Sequence, residues 1–256
     1  MNKKVCIFVD GENLRILINK LFPNEFSQEK YLPKTDWKEL YSYIAKETTK
    51  TSHEIIRTYW YVIQYLDFFP YKFPDHTTET DKLKELLSKN KPYKTELENL
   101  TGQNLVSKMK DFVDNLLKEK EKMKKRFEGW LTIQNGISTD NELIEFRRAG
   151  ANSYNLFKRS FGVEKAVDVK LAVDMIMLRD IYDIAIIVSG DQDYVPAVQI
   201  IKDFGKKVVN VSFETRDSKL LPGGSWRLNV LTDDRFIMKY DEFRNLLGFG
   251  IQRLIP

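Results

Sequence analysis

Short apolar runs alternate with segments of helical periodicity along most of the chain. Val5–Val9 and Ile184–Val188 are continuous apolar runs, which are typical of central parallel strands buried on both faces. A helical pattern with Pro196 in its first turn follows the second run and stops at Gly205. A third apolar run, Lys207–Phe213, comes next. The alternation predicts an α/β fold with a parallel, doubly wound sheet sandwiched by helices.

Weaker patterns predict the other elements of this fold. They are a helix beginning at Leu14, a helix near Thr35 and Asp36, a strand over 54–65, a short strand near Leu143, a helix after Gly162, a last strand ending at Tyr240 and a final helix over 243–247. The segment LLPGGS at 220–225 is expected to be a flexible loop.

The composition changes at about Asp67, where Lys, Glu, Asn and Thr become frequent. We therefore predict one α/β domain formed by residues 1–66 and 140–256, with a mainly helical, basic insertion over 67–139. A long helix over 103–127 carries an apolar stripe, which packs on the α/β body or on a second copy of the protein. Between Asp81 and Arg126 there are 13 basic and 8 acidic residues. Such a surface is either a solvated face or an arm that contacts nucleic acid.

Composition excludes several classes of protein. The single cysteine, Cys6, rules out an internal disulfide framework and a multi-cysteine zinc site. No apolar run is long enough for a secretion signal or a membrane span, so we expect a cytoplasmic protein with no membrane contact. Neither a G-x-G-x-x-G nor a G-x-x-x-x-G-K-[ST] motif occurs, which removes the main support for a dinucleotide site or an NTPase.

Acidic side chains follow the predicted strands where each strand ends. Asp10 follows the first apolar run, with Asn13 three residues later, and Asp191 and Asp193 follow the central run. Asp168 lies in the first turn of a predicted helix. Ligands of open α/β sheets bind at this edge, so we expect these side chains to converge there. Crowded carboxylates require a cation, and oxygen ligands without His or Cys favour Mg²⁺ or Mn²⁺.

Every one of these residues also has a purely structural interpretation. Asp10, Asn13, Asp168 and Asp193 can each serve as a turn residue or a helix cap. Asp191 has less structural explanation, which makes it the strongest candidate ligand.

Three further residues are candidates for supporting roles. Ser189 orients a ligand or only ends its strand, and Lys165 contacts a substrate phosphate or is an ordinary surface lysine. Asp174 lies six residues after Asp168, a rotation of roughly 240° on a helix, so the two cannot both face one site. Asp174 is then more simply a partner for a basic side chain.

Three blocks carry a family resemblance: FVDGEN, KAVDVKLAVD and VSGDQDYVP, in that order. They resemble the NYN-domain proteins, LabA-like branch, of the PIN-like nuclease superfamily, over about residues 3–65 and 140–240. The resemblance implies a parallel sheet between helices and a metal-dependent ribonuclease. The family's acidic positions fall on Asp10, Asp168, Asp191 and Asp193, its Asn on Asn13 and its Ser on Ser189.

The chain departs from the family pattern in two places. Ala166 stands where the family commonly has glycine in Lys-Gly-x-Asp, although the acid that follows, Asp168, is kept. The insertion of 67–139 is also outside the pattern. It leaves open whether that segment admits RNA, covers the site or builds a homodimer.

These observations predict an endoribonuclease-like hydrolase that uses Mg²⁺ or Mn²⁺ to cleave RNA, with other nucleic acids as possible substrates. Two alternatives stay open. One is a catalytically inactive nucleic-acid-binding regulatory module, which would show binding that falls steeply with salt. The other is a small phosphate-ester hydrolase, although Asp10-Gly11-Glu12 lacks the paired Asp-x-Asp of aspartyl-phosphate phosphatases.

Overall fold

The computed structural model describes residues 2–26, 31–221 and 226–249. Within these residues the chain forms eight strands and nine α-helices. In chain order they are β1 (Lys3–Asp10), α1 (Gly11–Leu21), α2 (Trp37–Thr49), β2 (His53–Phe69), α3 (Thr80–Ser88), α4 (Lys91–Leu97), α5 (Gly102–Asp140), β3 (Ile144–Asn155), β4 (Ser160–Lys165), α6 (Val167–Met177), β5 (Ile184–Val188), α7 (Val195–Asp203), β6 (Lys207–Glu214), β7 (Leu220–Leu221), α8 (Trp226–Leu231), β8 (Asp234–Met238) and α9 (Tyr240–Leu246).

The centre of the sheet is parallel. Strands β2, β1, β5 and β6 lie side by side in that order, and β8 continues the parallel arrangement beyond β6. The short β7 pairs with β6 in the antiparallel direction, and β3 lies next to β2. Helices flank this mostly parallel sheet, which confirms the predicted α/β fold class.

Apolar residues fill the central strands because helices cover both faces of the sheet. All five residues of β5 are buried, and Val5–Val9 of β1 are fully buried. Cys6 is one of them, and burial raises the pKa of its thiol to about 12. The thiol therefore remains protonated at neutral pH.

Gly11 lets the chain turn from β1 into α1 against its neighbour. A Cβ atom at this position would lie 2.4 Å from the carbonyl oxygen of Tyr61 and 2.8 Å from the indole nitrogen of Trp60. Both atoms belong to β2, which pairs with β1. A side chain at position 11 is therefore incompatible with this strand pairing.

The chain divides into two compact units. The first contains Met1–Gln64, Leu131–Ala149 and Ala166–Pro256, and the second contains Tyr65–Trp130 and Gly150–Lys165. This division differs from the predicted insertion of 67–139 in two respects. The last turns of α5, from Leu131, belong to the first unit, and residues 150–165, which form most of a hairpin, belong to the second.

Helix α5 carries its predicted apolar stripe into the interior of the second unit. Met109, Phe112, Leu116 and Met123 are buried there, and the ring of Tyr93 packs edge-on against Phe112. The stripe that suggested a homodimer is thus already covered within one chain.

The apolar pattern predicted only a short strand near Leu143, which is the first part of β3, and did not predict the hairpin that β3 forms with β4. Residues 151–155 of β3 pair in the antiparallel direction with 160–165, and nearly all of β4 is exposed. The hydroxyl of Tyr154 on β3 donates to Glu119 of α5 over 2.9 Å. Burial and this carboxylate raise the pKa of Tyr154 to about 12.

Two other differences concern the end of the chain. Helix α8 was not predicted, and Leu220–Leu221 form the short strand β7 instead of the start of a loop. The other four residues of the predicted loop, 222–225, lie outside the described residues. Among the helices that the structure describes, none combines the length and apolar character needed to cross a bilayer.

Candidate metal centre

Asp10 lies where two parallel strands end together. Val9 of β1 pairs with Val188 of β5, so the next residues, Asp10 and Ser189, are neighbours across the sheet. Asp10 is 1% exposed, and the hydroxyl of Ser189 donates to its Oδ2 over 2.9 Å. The predicted convergence of strand ends therefore brings these two side chains into contact.

Asn13 holds the same carboxylate from the first turn of α1. Its backbone N–H donates to Asp10 Oδ1 over 3.1 Å, and its side-chain amide donates to Asp10 Oδ2. Asp10 is thus the N-cap of α1, as its structural interpretation required. The side-chain amide nitrogen of Asn13 therefore faces the carboxylate of Asp10.

Asp168 joins the site through a residue that the sequence analysis did not select. The hydroxyl oxygen of Tyr194 lies 3.1 Å from Asp10 Oδ2 and 2.7 Å from Asp168 Oδ1. Tyr194 is fully buried, and Asp168 is partly buried in the first turn of α6. One tyrosine hydroxyl therefore lies between the two carboxylates.

Asp191 and Asp193 lie on the turn that follows β5. The backbone N–H of Asp193 donates to the carboxylate of Asp191 over 2.9 Å, so Asp191 rather than Asp193 caps the short 3₁₀ turn over 192–194. The backbone N–H of Asp191 in turn donates to Ser189 Oγ over 3.1 Å. The turn is thereby linked to Asp10 through a single serine hydroxyl.

The electrostatics of this cluster are unfavourable for negative charge. Burial raises the pKa of Asp10 to about 6, and the neighbouring Asp168 adds to the rise, against the effect of hydrogen bonds from Asn13 and Ser189. Burial also raises the pKa of Asp168, and the charges of Asp191 and Asp193 act in the same direction. A bound cation would offset both effects.

The carboxylates of Asp10 and Asp168 are suitable ligands for a hard divalent metal ion. Among the described residues, no group of three or more His, Cys, Asp or Glu side chains is arranged to hold a metal ion. Asp10 and Asp168 instead offer a two-carboxylate, oxygen-only donor set. Mg²⁺ is commonly bound by one or two carboxylates while it keeps several waters and contacts substrate phosphate. The donor chemistry therefore suits Mg²⁺ or the similar Mn²⁺.

Asp174 has a different environment from the other candidate acids. It is buried on α6, and its carboxylate pairs with Arg147 at 2.5 Å and Lys170 at 2.7 Å and accepts from the hydroxyl of Tyr61 over 3.1 Å. Burial raises its pKa, but the hydrogen bonds from Lys170 and Arg147 outweigh this and lower it. These contacts match its interpretation as a partner for basic side chains.

Lys165 and Ala166 lead into α6. Lys165 is the exposed last residue of β4 and belongs to the second unit. Ala166 has a φ of 72° and a ψ of −5°, the left-handed conformation that favours glycine. This backbone conformation explains why the family commonly has glycine here. The present chain keeps the same conformation although the residue is alanine.

The position of Tyr194 in the sequence gave only a weak signal for a role in the site. It follows Asp193 in VSGDQDYVP, in the turn between a buried strand and a helix. A tyrosine in such a segment is usually assigned to packing, because the aromatic ring accounts for most of its buried area. Which group its hydroxyl contacts depends on side-chain orientation, which no sequence pattern reports.

One comparison with known proteins agrees with the second and third motifs. The family model described as NYN domain matches residues 121–222. This chain contains an NYN domain. The matched range includes Asp168, Ser189, Asp191 and Asp193, whereas Asp10 precedes it. The predicted family is thus confirmed, while the LabA-like branch stays a prediction.

Membership of the NYN domain in the PIN-like nuclease superfamily indicates a nuclease-like hydrolase whose substrate is nucleic acid. A crystal structure of a protein of unknown function from Vibrio parahaemolyticus is also similar, at 14% identity and a TM-score of 0.46, covering 92% of this chain and 93% of that one. No curated protein matches the chain.

Proposed function

We propose that the NYN domain is a metal-dependent ribonuclease, an endoribonuclease-like hydrolase that cleaves phosphodiester bonds with the help of Mg²⁺ or Mn²⁺. The observation that carries this proposal is the pair of carboxylates, Asp10 and Asp168, gathered around one hydroxyl. Both have raised pKa values, and neither is paired with a cationic side chain in the described structure. A site of this kind has the charge and the donor atoms for a hard divalent cation.

We assign separate roles to the side chains of the site. Asp10 and Asp168 would hold the cation, and Asp191 and Asp193 would complete its surroundings from the neighbouring turn. When bound, such a cation lowers the pKa of a water ligand and stabilises negative charge on a phosphodiester. Ser189 and Asn13 orient the Asp10 carboxylate through the hydrogen bonds that they donate to it.

The roles of two other residues follow from their surroundings. Lys165 is proposed to contact a phosphate of the RNA, for which it has the charge and the exposure. Asp174 is proposed to support α6, which carries Asp168, because its own charge is already neutralised by Arg147 and Lys170.

One observation favours a second candidate, an RNA-binding regulatory module without turnover. Of the four candidate ligands, Asp10 and Asp168 share the Tyr194 hydroxyl. The described residues contain no group of three acids, histidines or cysteines arranged around one metal position. In that case the basic helix α5 would supply affinity through phosphate contacts. The predicted homodimer has no comparable support, because the stripe that suggested it is buried within one chain.

A cleavage assay separates these functions. Purified protein is incubated with labelled single-stranded RNA, single-stranded DNA or a generic aryl phosphate ester, in Mn²⁺ or in EDTA. The ribonuclease proposal expects cleavage of RNA that requires Mn²⁺ and that falls about 10²–10³-fold in Asp10→Asn and in Asp191→Asn, a loss typical of an essential electrostatic group.

Asp180→Asn is the matched control for this assay. Asp180 is exposed and pairs only loosely with Arg179, at 3.9 Å, so its variant should cleave at the normal rate. RNA binding without cleavage in either buffer would instead support the regulatory module. Turnover of the aryl ester alone would support a small phosphate-ester hydrolase.

A further inference from the structure

The Tyr194 hydroxyl is shared by two carboxylates that belong to different elements. Asp10 ends β1 and Asp168 begins α6, and the hydroxyl lies 3.1 Å from the first and 2.7 Å from the second. A phenol has one proton to donate, so it can satisfy only one acceptor at a time. The arrangement therefore keeps two acidic groups close together without neutralising them.

Tyr194 and Ser189 reach the same oxygen atom from the two ends of one turn. Ser189 Oγ and Tyr194 OH both contact Asp10 Oδ2, and the side-chain amide of Asn13 contacts it as well. Oδ1 of the same carboxylate accepts from the backbone of Asn13. Asp10 is thus fixed in orientation by three hydrogen bonds that do not involve Tyr194, whereas Asp168 depends on the Tyr194 hydroxyl for its contact with this group.

The ring of Tyr194 is locked by its surroundings. The residue ends the 3₁₀ turn over 192–194, immediately before α7, and none of its surface is exposed. A buried ring with a fixed backbone places its hydroxyl with little freedom. The separation of Asp10 and Asp168 is then set by a rigid group rather than by two flexible side chains.

We propose that Tyr194 is a positioning residue: its hydroxyl holds Asp10 and Asp168 at the separation and orientation in which both bind one divalent cation. This inference rests on the proposed function. Groups that hydrogen-bond to metal-ligating carboxylates commonly orient them, and the loss of such a group lowers metal affinity about 10–100-fold. Tyr194 itself remains outside the ligand set.

The test compares Tyr194→Phe with Tyr182→Phe in the full chain. Both changes remove one hydroxyl from a buried tyrosine and leave the ring. Tyr182 is 1% exposed, and its hydroxyl donates to the backbone oxygen of Met175 over 2.6 Å, away from the acidic cluster. Tyr182→Phe is therefore a control for the loss of a buried hydrogen bond.

Mn²⁺ affinity is measured by the electron paramagnetic resonance signal of the free ion during a titration. Tyr194→Phe should raise the Kd for Mn²⁺ about 10–100-fold, and Tyr182→Phe should leave it unchanged. Thermal unfolding of the metal-free proteins reports whether both variants fold. RNA cleavage by Tyr194→Phe should recover as the Mn²⁺ concentration is raised, because the cation site is weakened and not removed.

The outcomes separate the two proposals. If the unaltered protein binds Mn²⁺ and Tyr194→Phe binds it equally well, the positioning role is wrong and the proposed function stands. If both tyrosine variants weaken binding to the same degree, the effect is a general loss of packing, and the positioning role is again wrong. If the unaltered protein binds no Mn²⁺, the metal-dependent function fails and this inference with it.

Discussion

Asp10 and Asp174 are both buried aspartates of the first unit, at 1% and 4% exposure. The surroundings of Asp174 stabilise its negative charge, whereas those of Asp10 destabilise it. Asp174 has two cationic partners, Arg147 and Lys170, which lower its pKa. The described residues give Asp10 only neutral donors, and its pKa is raised to about 6.

The difference shows how buried acids can be assigned to structure or to function. A buried carboxylate that pairs with cationic side chains needs no further cation, because its charge has been neutralised within the chain. A buried carboxylate that has only neutral donors and another acid beside it lacks positive charge. The second kind is the better candidate for binding a cation from solution, and the following predictions test this distinction.

The largest expected effect concerns Asp174. Asp174→Asn leaves the charges of Arg147 and Lys170 without their shared partner, so the free energy of unfolding should fall by about 3 kcal/mol, at the low end for broken buried pairs because Lys170 is partly exposed. Urea denaturation at pH 7 without metal measures it. Asp10→Asn should show no such loss, and equal losses in the two variants would contradict the distinction.

The second prediction concerns the pH dependence of stability in the metal-free protein. Asp10 has a folded pKa of about 6 against an ordinary value of 3.8, so the folded state binds its proton more tightly than the unfolded state does. Stability should therefore fall as the pH rises from about 4 to about 6. A difference of about two pH units corresponds to about 3 kcal/mol.

Asp10→Asn isolates this contribution, because it removes the titrating group and keeps a side chain of similar size. Asp174 acts with the opposite sign, since its stabilising effect is lost only as the pH falls through its lowered pKa. The free energy of unfolding of the unaltered protein and that of Asp10→Asn should therefore depend differently on pH between pH 4 and 6. If the two proteins show the same pH dependence over that range, the pKa of Asp10 is not raised in the folded state.

The third prediction concerns the addition of metal. Mn²⁺ at a hundred times its Kd should raise the free energy of unfolding by about 2.7 kcal/mol at pH 7. Asp10→Asn should lose this response, whereas Asp180→Asn, on an exposed acid outside the cluster, should keep it. Calorimetric scans with and without Mn²⁺ measure the shift, and an equal shift in all three proteins would point to binding elsewhere.

The smallest expected effect concerns the backbone before Asp168. Ala166→Gly should raise the free energy of unfolding by about 0.5–1 kcal/mol, because glycine adopts the left-handed conformation at φ 72° without the strain that alanine has there. Ala172→Gly, within α6, should instead lower it by about 1 kcal/mol. Chemical denaturation of both variants decides whether strain at position 166 is real.

The sequence was sufficient to predict those strands and helices that have a clear pattern of apolar residues. The central strands and their helices were predicted because continuous apolar runs and helical periodicity differ clearly. Strand β4 was missed because Ser160–Lys165 is almost wholly exposed and has only two apolar residues, Phe161 and Val163, on either side of a glycine. Its position depends on pairing with β3, which is a tertiary contact.

The candidate site was predictable to a similar extent. Parallel strand ends lie at one edge, so the neighbourhood of Asp10 and Ser189 followed from the pattern. The orientation of each carboxylate did not, and this orientation is what links Asp168 to Asp10 and turns Asp191 toward its own turn. The Lys-Gly-x-Asp comparison did locate the unusual backbone at Ala166, although its left-handed conformation became evident only from the structure.

The buried thiol of Cys6 makes the protein convenient for site-specific labelling. Burial raises the pKa of this thiol to about 12, so it stays protonated at neutral pH, and the buried side chain is not accessible to reagents. A new cysteine at an exposed position, such as Tyr71, would therefore react with a maleimide dye selectively, with the native cysteine left in place.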